Sequence, residues 1–282
     1  MAGVQSSRGS RGMDGKQLAT IKRMFSSLSA HAGYAWLVTA SFIAGVMNAM
    51  AGGGSFVSFP AMLAVGVPPI QANATNTVAL WPGQLTSVWA LWKDVRRDLL
   101  PVVLSASVIG GVAGAYVLLH TRQRTFLHLV PWLLLLASLL FGISGPVSRW
   151  LRQRSAEPHA VRPIAALPLA LALLPICFYI GYFGAGAGFL LMTALSLFGV
   201  EEMRALNSLK VLGACLSNFC AVITFIFGGA IEWHYCLISM VFAAAGGWVG
   251  AIYARRMNPN VLRAIVVITG CIVAAYFFWR GA

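Results

Sequence analysis

The chain has 282 residues, of which 59% are hydrophobic and only 10% are charged, and its formal net charge is +13. Soluble domains carry about 25% charged residues, so this composition leaves too little polar material to cover a surface in water. The sequence therefore predicts an integral membrane protein. Its apolar runs are long enough to cross a bilayer as helices, which need about 20 residues each, and we expect an all-α fold.

The basic residues lie at the ends of the apolar runs, where membrane topology places them. This distribution argues against a nucleic-acid-binding role, which the net charge alone would suggest. The five cysteines lie within apolar segments and form no C-x-x-C pair. No cofactor, metal site or disulfide framework is predicted.

Residues 1–33 are predicted to be a basic cytoplasmic tail, in which apolar residues recur at the spacing of a short helix on the membrane surface. Two transmembrane repeats, 34–145 and 164–282, are joined by an arginine-rich cytoplasmic linker at 146–163. The repeats contain eight apolar segments, at 34–66, 72–92, 99–119, 126–145, 164–199, 203–228, 235–254 and 261–279.

The first and fifth segments are too long for one simple span, and glycines interrupt both at matching places. The interruptions are Gly52-Gly53-Gly54-Ser55-Phe56 and Gly186-Ala187-Gly188-Phe189. Each segment is interpreted as a helix, a glycine break and a half-helix. Whether the half-helix re-enters or makes an extra crossing is left open. Two broken segments in corresponding positions are the best sequence pointer to a transporter's binding site.

Counting each broken segment as one pass gives eight crossings, four in each half. With the N-terminus inside, 13 lysines and arginines fall inside and six outside, and Lys210 is the last of the 20. This asymmetry follows the positive-inside rule. An even number of crossings in each half predicts parallel repeats, related by an axis along the membrane normal.

A helix that begins just after a break presents free N–H groups and a positive dipole end, which together bind anions. Lys210 is the only lysine or arginine deep within a predicted span, and such charges are functional by default. The alternative is that its side chain extends to the membrane surface. The predicted substrate-binding residues are Asn48, Gly53, Gly54, Ser55, Thr75, Asn76, Gly186, Ala187, Gly188, Asn207, Ser208 and Lys210.

Other interruptions of the apolar segments have simpler interpretations. Trp81-Pro82-Gly83 breaks the second segment, as either a hinge or a passive kink. Two further glycine sets are predicted to allow close helix packing. They are Gly110, Gly111 and Gly114, and Gly246, Gly247 and Gly250.

On these motifs the chain resembles the sulfite exporter TauE/SafE family, also called TSUP transporters. After each break come a glycine–valine pair and then an alanine followed by polar residues, at Gly66-Val67 with Ala72 and at Gly199-Val200 with Ala205. The resemblance implies export of a small anion, such as sulfite, an organosulfonate or a related sulfur oxyanion, across the cytoplasmic membrane. Ala187 stands where a glycine is common in the family, so the second break is expected to be less extreme.

The sequence thus predicts a secondary transporter that works by alternating access, with a small anion and the lipid bilayer as its partners. Proton or ion coupling and a homodimer are left open. The alternatives are a transporter or channel for another organic anion, such as oxalate, and a membrane-embedded enzyme. The enzyme is disfavoured because no convergent acids, bases or metal ligands are visible, and no catalytic residue is assigned.

Overall fold

The structure, a computed structural model, describes residues 32–49, 53–155, 165–253 and 259–279, and these ranges are helices joined by short connections. The first half comprises α1 (Ala32–Ala49), α2 (Ser55–Ala64), α3 (Pro69–Leu80), α4 (Pro82–Leu91), α5 (Leu100–His120) and α6 (Gln123–Ser155). The second half comprises α7 (Ala166–Tyr182), α8 (Ala187–Leu197), α9 (Met203–Phe227), α10 (Trp233–Tyr253) and α11 (Pro259–Trp279).

Four helices within the described ranges are long and apolar enough to cross a membrane, namely α1, α5, α6 and α9. The prediction of an all-α membrane protein is therefore confirmed. The predicted basic tail lies almost entirely outside the described residues. The linker is shorter than predicted, because α6 continues through Pro146 to Ser155. A proline removes one helical hydrogen bond, and the helix tolerates that loss here.

The glycine–valine pair of each repeat ends a helix in the same way. Gly66 closes α2 with φ 90° and Gly199 closes α8 with φ 99°, a left-handed conformation that glycine adopts without steric cost. The N–H groups of Val67 and Val200 then donate back to helix carbonyls at 3.1 and 3.0 Å. This arrangement satisfies carbonyls at the helix end, so the repeated motif has a backbone cause.

The helix connections gather on two opposite faces. Face A holds the α2–α3, α5–α6 and α9–α10 connections: the N–H of Ile70 donates to the side chain of Gln123 at 3.0 Å, and the N–H of Glu232 donates to Thr75 at 3.0 Å. Face B holds the α4–α5 and α8–α9 connections, where the hydroxyl of Ser208 donates to the carbonyl of Asp94 at 2.9 Å.

The directions of the helices between these faces show that the repeats are inverted. Helix α9 runs from face B to face A alongside α5, since Ser107 bonds the Gly213 carbonyl at 3.2 Å and Leu119 lies against Gly228. The α3–α4 stretch occupies the matching place in the first half but runs from face A to face B. The expectation of parallel repeats is therefore wrong.

The broken segments form hairpins that enter and leave on one face. Val65 after α2 lies beside Gly33 at the start of α1, while Gly54 lies against Asn48 near the end of α1. The first hairpin thus belongs to face A. The second belongs to face B, where Leu169 of α7 and Val200 after α8 share one apolar cluster.

These hairpins change the predicted count of crossings. Besides its hairpin, each half has three crossings in the described ranges: α3–α4, α5 and α6 in the first, and α9, α10 and α11 in the second. An odd number of crossings inverts the second repeat. Helix α1 begins on face A, opposite Lys93 and Arg97. The predicted position of the N-terminus itself falls on residues 1–31, which lie outside the described residues.

Small residues bring helices of the two halves into close contact with each other, as predicted. A Cβ atom on Gly114 of α5 would lie 2.1 Å from the Phe178 carbonyl oxygen of α7. A Cβ atom on Gly246 of α10 would lie 2.0 Å from the Phe42 carbonyl oxygen of α1. Neither distance is possible between non-bonded atoms, so both helix pairs require glycine. Such contacts replace the hydrophobic effect as the packing force in lipid.

Candidate functional site

The tips of the two hairpins lie near the middle of the molecule. The side-chain nitrogen of Asn48, at the first tip, is 4.0 Å from the position that a Cβ atom on Gly83 would occupy. The side-chain oxygen of Asn218, at mid-length in α9, is 3.6 Å from the corresponding position on Gly184 in the second tip. Gly83 and Asn218 lie on the two helix stretches that cross between the tips.

The first tip is compact. Gly54 precedes α2 with ordinary helical angles, φ −57° and ψ −37°, and no side chain caps the helix. A Cβ atom on Gly54 would lie 2.5 Å from the Ala44 carbonyl oxygen, so glycine is needed here for close approach. Helix α2 begins at Ser55, and the N–H groups of Phe56 and Val57 donate to the carbonyls of Gly53 and Gly54 at 3.2 and 3.1 Å.

The second tip is unwound. Gly184 and Gly186 have φ angles of 78° and 75°, and α8 then begins at Ala187 without a side-chain cap. Ala187 is an ordinary first helical residue, so the unwinding lies at the two glycines before it. Among the described residues of the two tips, left-handed glycines occur only in the second. The comparison of the two breaks that Ala187 suggested depends also on Gly52, which lies outside the described residues.

Two hydrogen bonds hold the unwound segment in place. The hydroxyl of Tyr179 donates to the carbonyl of Ala185 at 2.8 Å, and the amide of Asn73 donates to the carbonyl of Tyr182 at 3.1 Å. Asn73 belongs to α3, so the first half stabilises the second tip. The role of Tyr179 was missed from the sequence. A tyrosine shortly before a glycine break is the signal that would have indicated it.

Lys210 lies beside the start of α8. Both its Cγ and its Cδ are 3.8 Å from the position that a Cβ atom on Gly188 would occupy. The side chain is partly exposed, as is that of Asn207 one turn earlier. Across the described ranges, no hydrogen bond or ion pair of the Lys210 ammonium group is found. An unpaired cation is costly inside a membrane. A bound anion would supply the missing partner.

Three predicted site residues instead make contacts within the protein. Asn76 is buried and accepts a hydrogen bond from Ser58. Thr75 is buried against Glu232, and Ser208 is buried against the α4–α5 connection. The polar side chains of α3 are thus satisfied by the protein, whereas Asn207 and Lys210 on α9 are not.

The crossing of α3–α4 with α9 joins the two halves between the tips. The indole N–H of Trp81 donates to the Cys215 carbonyl at 3.2 Å, and its ring stacks on Phe219 with centroids 5.2 Å apart. Asn218 donates to Gln84 at 3.0 Å. The interruption at Trp81-Pro82-Gly83 therefore places an aromatic anchor beside the two tips.

Two hairpins that meet from opposite faces, beside an unpaired lysine, define a membrane transporter. Sequence comparison agrees with this class. The profile described as sulfite exporter TauE/SafE matches residues 37–277, and the chain belongs to that family.

The curated relatives match over most of their length. A probable membrane transporter protein, ORF9, from Sinorhizobium sp is 31% identical over 245 residues, which cover 85% of this chain and 90% of the relative. A probable membrane transporter protein from Haemophilus influenzae is 27% identical and covers 85% and 92%. YfcA from Escherichia coli K12, another probable membrane transporter protein, is 26% identical and covers 83% and 86%. No solved structure matches. These relatives point to transport rather than catalysis.

Proposed function

We propose that the protein is a secondary transporter that exports a small anion, namely sulfite, an organosulfonate or a related sulfur oxyanion. The observation that carries this proposal is Lys210, a lysine without a partner in the described ranges, whose side-chain stem lies against Gly188 in the uncapped first turn of α8. A helix N-terminus and a lysine together form a strong anion site. The family's description as sulfite exporters supports a sulfur oxyanion as the substrate.

In this proposal the anion accepts a hydrogen bond from the N–H of Gly188, for which no partner is found in the described ranges. It also pairs with Lys210 and accepts a hydrogen bond from the side-chain amide of Asn207. The N-terminus of α2 lies across the crossing helices and adds a second positive dipole end, equivalent to about half a charge. The unwound backbone at Gly184 and Gly186, just before α8, leaves room for an oxyanion to approach the N–H of Gly188.

Inverted hairpins supply a route to alternating access. The first hairpin opens towards face A and the second towards face B, so their exchange of conformation would expose the site to each face in turn. No nucleotide-binding motif is present in the sequence. The driving force is therefore a gradient of the substrate or of a coupled ion.

We propose that face B is cytoplasmic and that the membrane is the cytoplasmic one. In the connections of the described ranges, Lys93, Arg96 and Arg97 lie on face B, whereas Arg122 and Arg124 lie on face A. The C-terminal end of α6, which reaches face B, adds Arg149, Arg152 and Arg154. Cytoplasmic loops carry the excess of positive charge, and α1 then begins on the outer side.

The test is uptake of labelled sulfite by proteoliposomes that contain the purified chain. Lys210→Ala should weaken sulfite binding at least about tenfold, which corresponds to about 1.4 kcal/mol. Arg204→Ala is the matched control, because Arg204 lies on the same helix but is exposed at face B. Equal binding by the two variants would refute the role of Lys210. A thermal-shift screen with sulfite, sulfate and oxalate identifies the preferred anion, and oxalate alone would refute the sulfur substrate.

A further inference from the structure

Among the described residues, no acidic side chain is found beside Lys210. Its neighbours one turn away on α9, including Asn207 and Ala214, are neutral, and Gly188 faces it from α8. The acidic residues of the described ranges lie at helix ends and in connections, at Asp94, Asp98, Glu201, Glu202 and Glu232. The empty site therefore carries an unbalanced positive charge.

The two hairpin tips increase this charge. Both α2 and α8 begin without a side-chain cap, so the positive ends of their dipoles remain unneutralised beside the crossing helices. The neutral amides of Asn48, Gln84 and Asn218 lie at the tips and the crossing helices and cannot balance a cation by ionising. Only a ligand that brings negative charge makes the site electrically balanced.

This imbalance affects the conformational step of transport. Reorientation of the empty protein would carry an unpaired ammonium group through an apolar bundle, which is unfavourable, whereas a bound anion pairs with it. We propose that the protein is an obligate anion exchanger, in which only the anion-loaded form reorients rapidly. This inference rests on the proposed function and specifies how it operates: one anion leaves as another enters.

The experiment compares labelled sulfite uptake into proteoliposomes preloaded with unlabelled sulfite and into empty ones, with the membrane potential clamped by potassium and valinomycin. We expect the initial rate to be at least about tenfold higher in preloaded vesicles. In the charge-neutral Lys210→Gln variant, compared at equal site occupancy, this ratio should fall towards one. Arg204→Gln should retain the wild-type ratio.

Equal rates in empty and preloaded vesicles would overturn the exchange mechanism. So would net uptake into empty vesicles that follows an imposed pH gradient, because the lysine would then reorient without its proton. An unchanged ratio in Lys210→Gln would show that another group imposes exchange. A thermal-shift measurement with sulfite separates the two proposals. Binding without exchange refutes only this inference, whereas absence of binding to any tested anion refutes the proposed function and this inference with it.

Discussion

Removal of the Tyr179 hydroxyl should loosen the second hairpin tip and weaken anion binding. Tyr179→Phe deletes one oxygen atom and leaves the ring in place. The carbonyl of Ala185, which lies in a residue only 4% exposed, loses the donor that now bonds it at 2.8 Å. A buried acceptor left without a partner costs about 1–3 kcal/mol.

Part of this cost lowers the free energy of unfolding of the protein. The rest weakens anion binding, because the unwound segment is less ordered before the anion binds. If the whole cost fell on binding, sulfite affinity would decrease by about 5- to 150-fold. The assays are thermal unfolding of the purified protein, and its shift with increasing sulfite concentration. We expect a lower melting temperature and a weaker sulfite response in Tyr179→Phe.

The matched control is Tyr182→Phe. Tyr182 lies at the end of the same helix and is partly buried, but no hydrogen bond of its hydroxyl is found within the described ranges. Its loss should change neither stability nor affinity appreciably. If the two variants behaved alike, the hydrogen bond to Ala185 would not be what organises the tip, and the reasoning would fail.

Two further predictions concern the crossing helices and the orientation. Trp81→Phe keeps the stacking on Phe219 but removes the hydrogen bond to the Cys215 carbonyl, which still accepts a bond within α9. We therefore expect a slower rate of sulfite exchange and an unchanged sulfite affinity. A change in affinity without a change in rate would contradict this. Cysteines introduced at Arg122 and at Lys93, in a background without the exposed Cys271, should react differently with an impermeant maleimide on whole cells. Only the cysteine at position 122 should be labelled, and the reverse result would invert the proposed topology.

The sequence was sufficient to locate the repeats and the breaks, because both depend on patterns that hydropathy and glycine content reveal directly. The matching glycine–valine pairs at Gly66 and Gly199 end helices in matching ways. Lys210 was identified because charge is rare within an apolar segment, and the structure shows it beside Gly188.

The directions of the helices were not predictable in the same way. A half-helix that returns and one that crosses have the same apolar composition. The number of crossings in each half was therefore uncertain by one. Whether the repeats are parallel or inverted depends on that number. The orientation of polar side chains was equally hidden. Thr75 and Asn207 are both polar residues in equivalent helices, yet one is buried against a backbone N–H and the other is partly exposed. Tertiary packing decides that difference.

The contacts at the crossing helices have a consequence for symmetry. Trp81 bonds Cys215, and Gln84 bonds Asn218, and in both pairs the separation is 134 residues. The repeats themselves are offset by 133 residues, as Gly66 and Gly199 show. Each of these side chains therefore contacts nearly its own counterpart, which happens only close to a pseudo-twofold axis.

Contacts near such an axis can persist when the two halves exchange conformations. The exchange replaces each residue's position by that of its counterpart, and for these pairs the two residues in contact are nearly counterparts of each other. The hydrogen bond from Asn73 to Tyr182 joins residues that are 109 apart, so the two are not counterparts. The counterpart of Asn73 in the second repeat is Leu206, whose side chain has no hydrogen-bond donor. The contacts between α3–α4 and α9 would thus stay in place while the two halves move around them during transport. The Asn73 bond would form in only one of the two states and would add to the stability of that state alone.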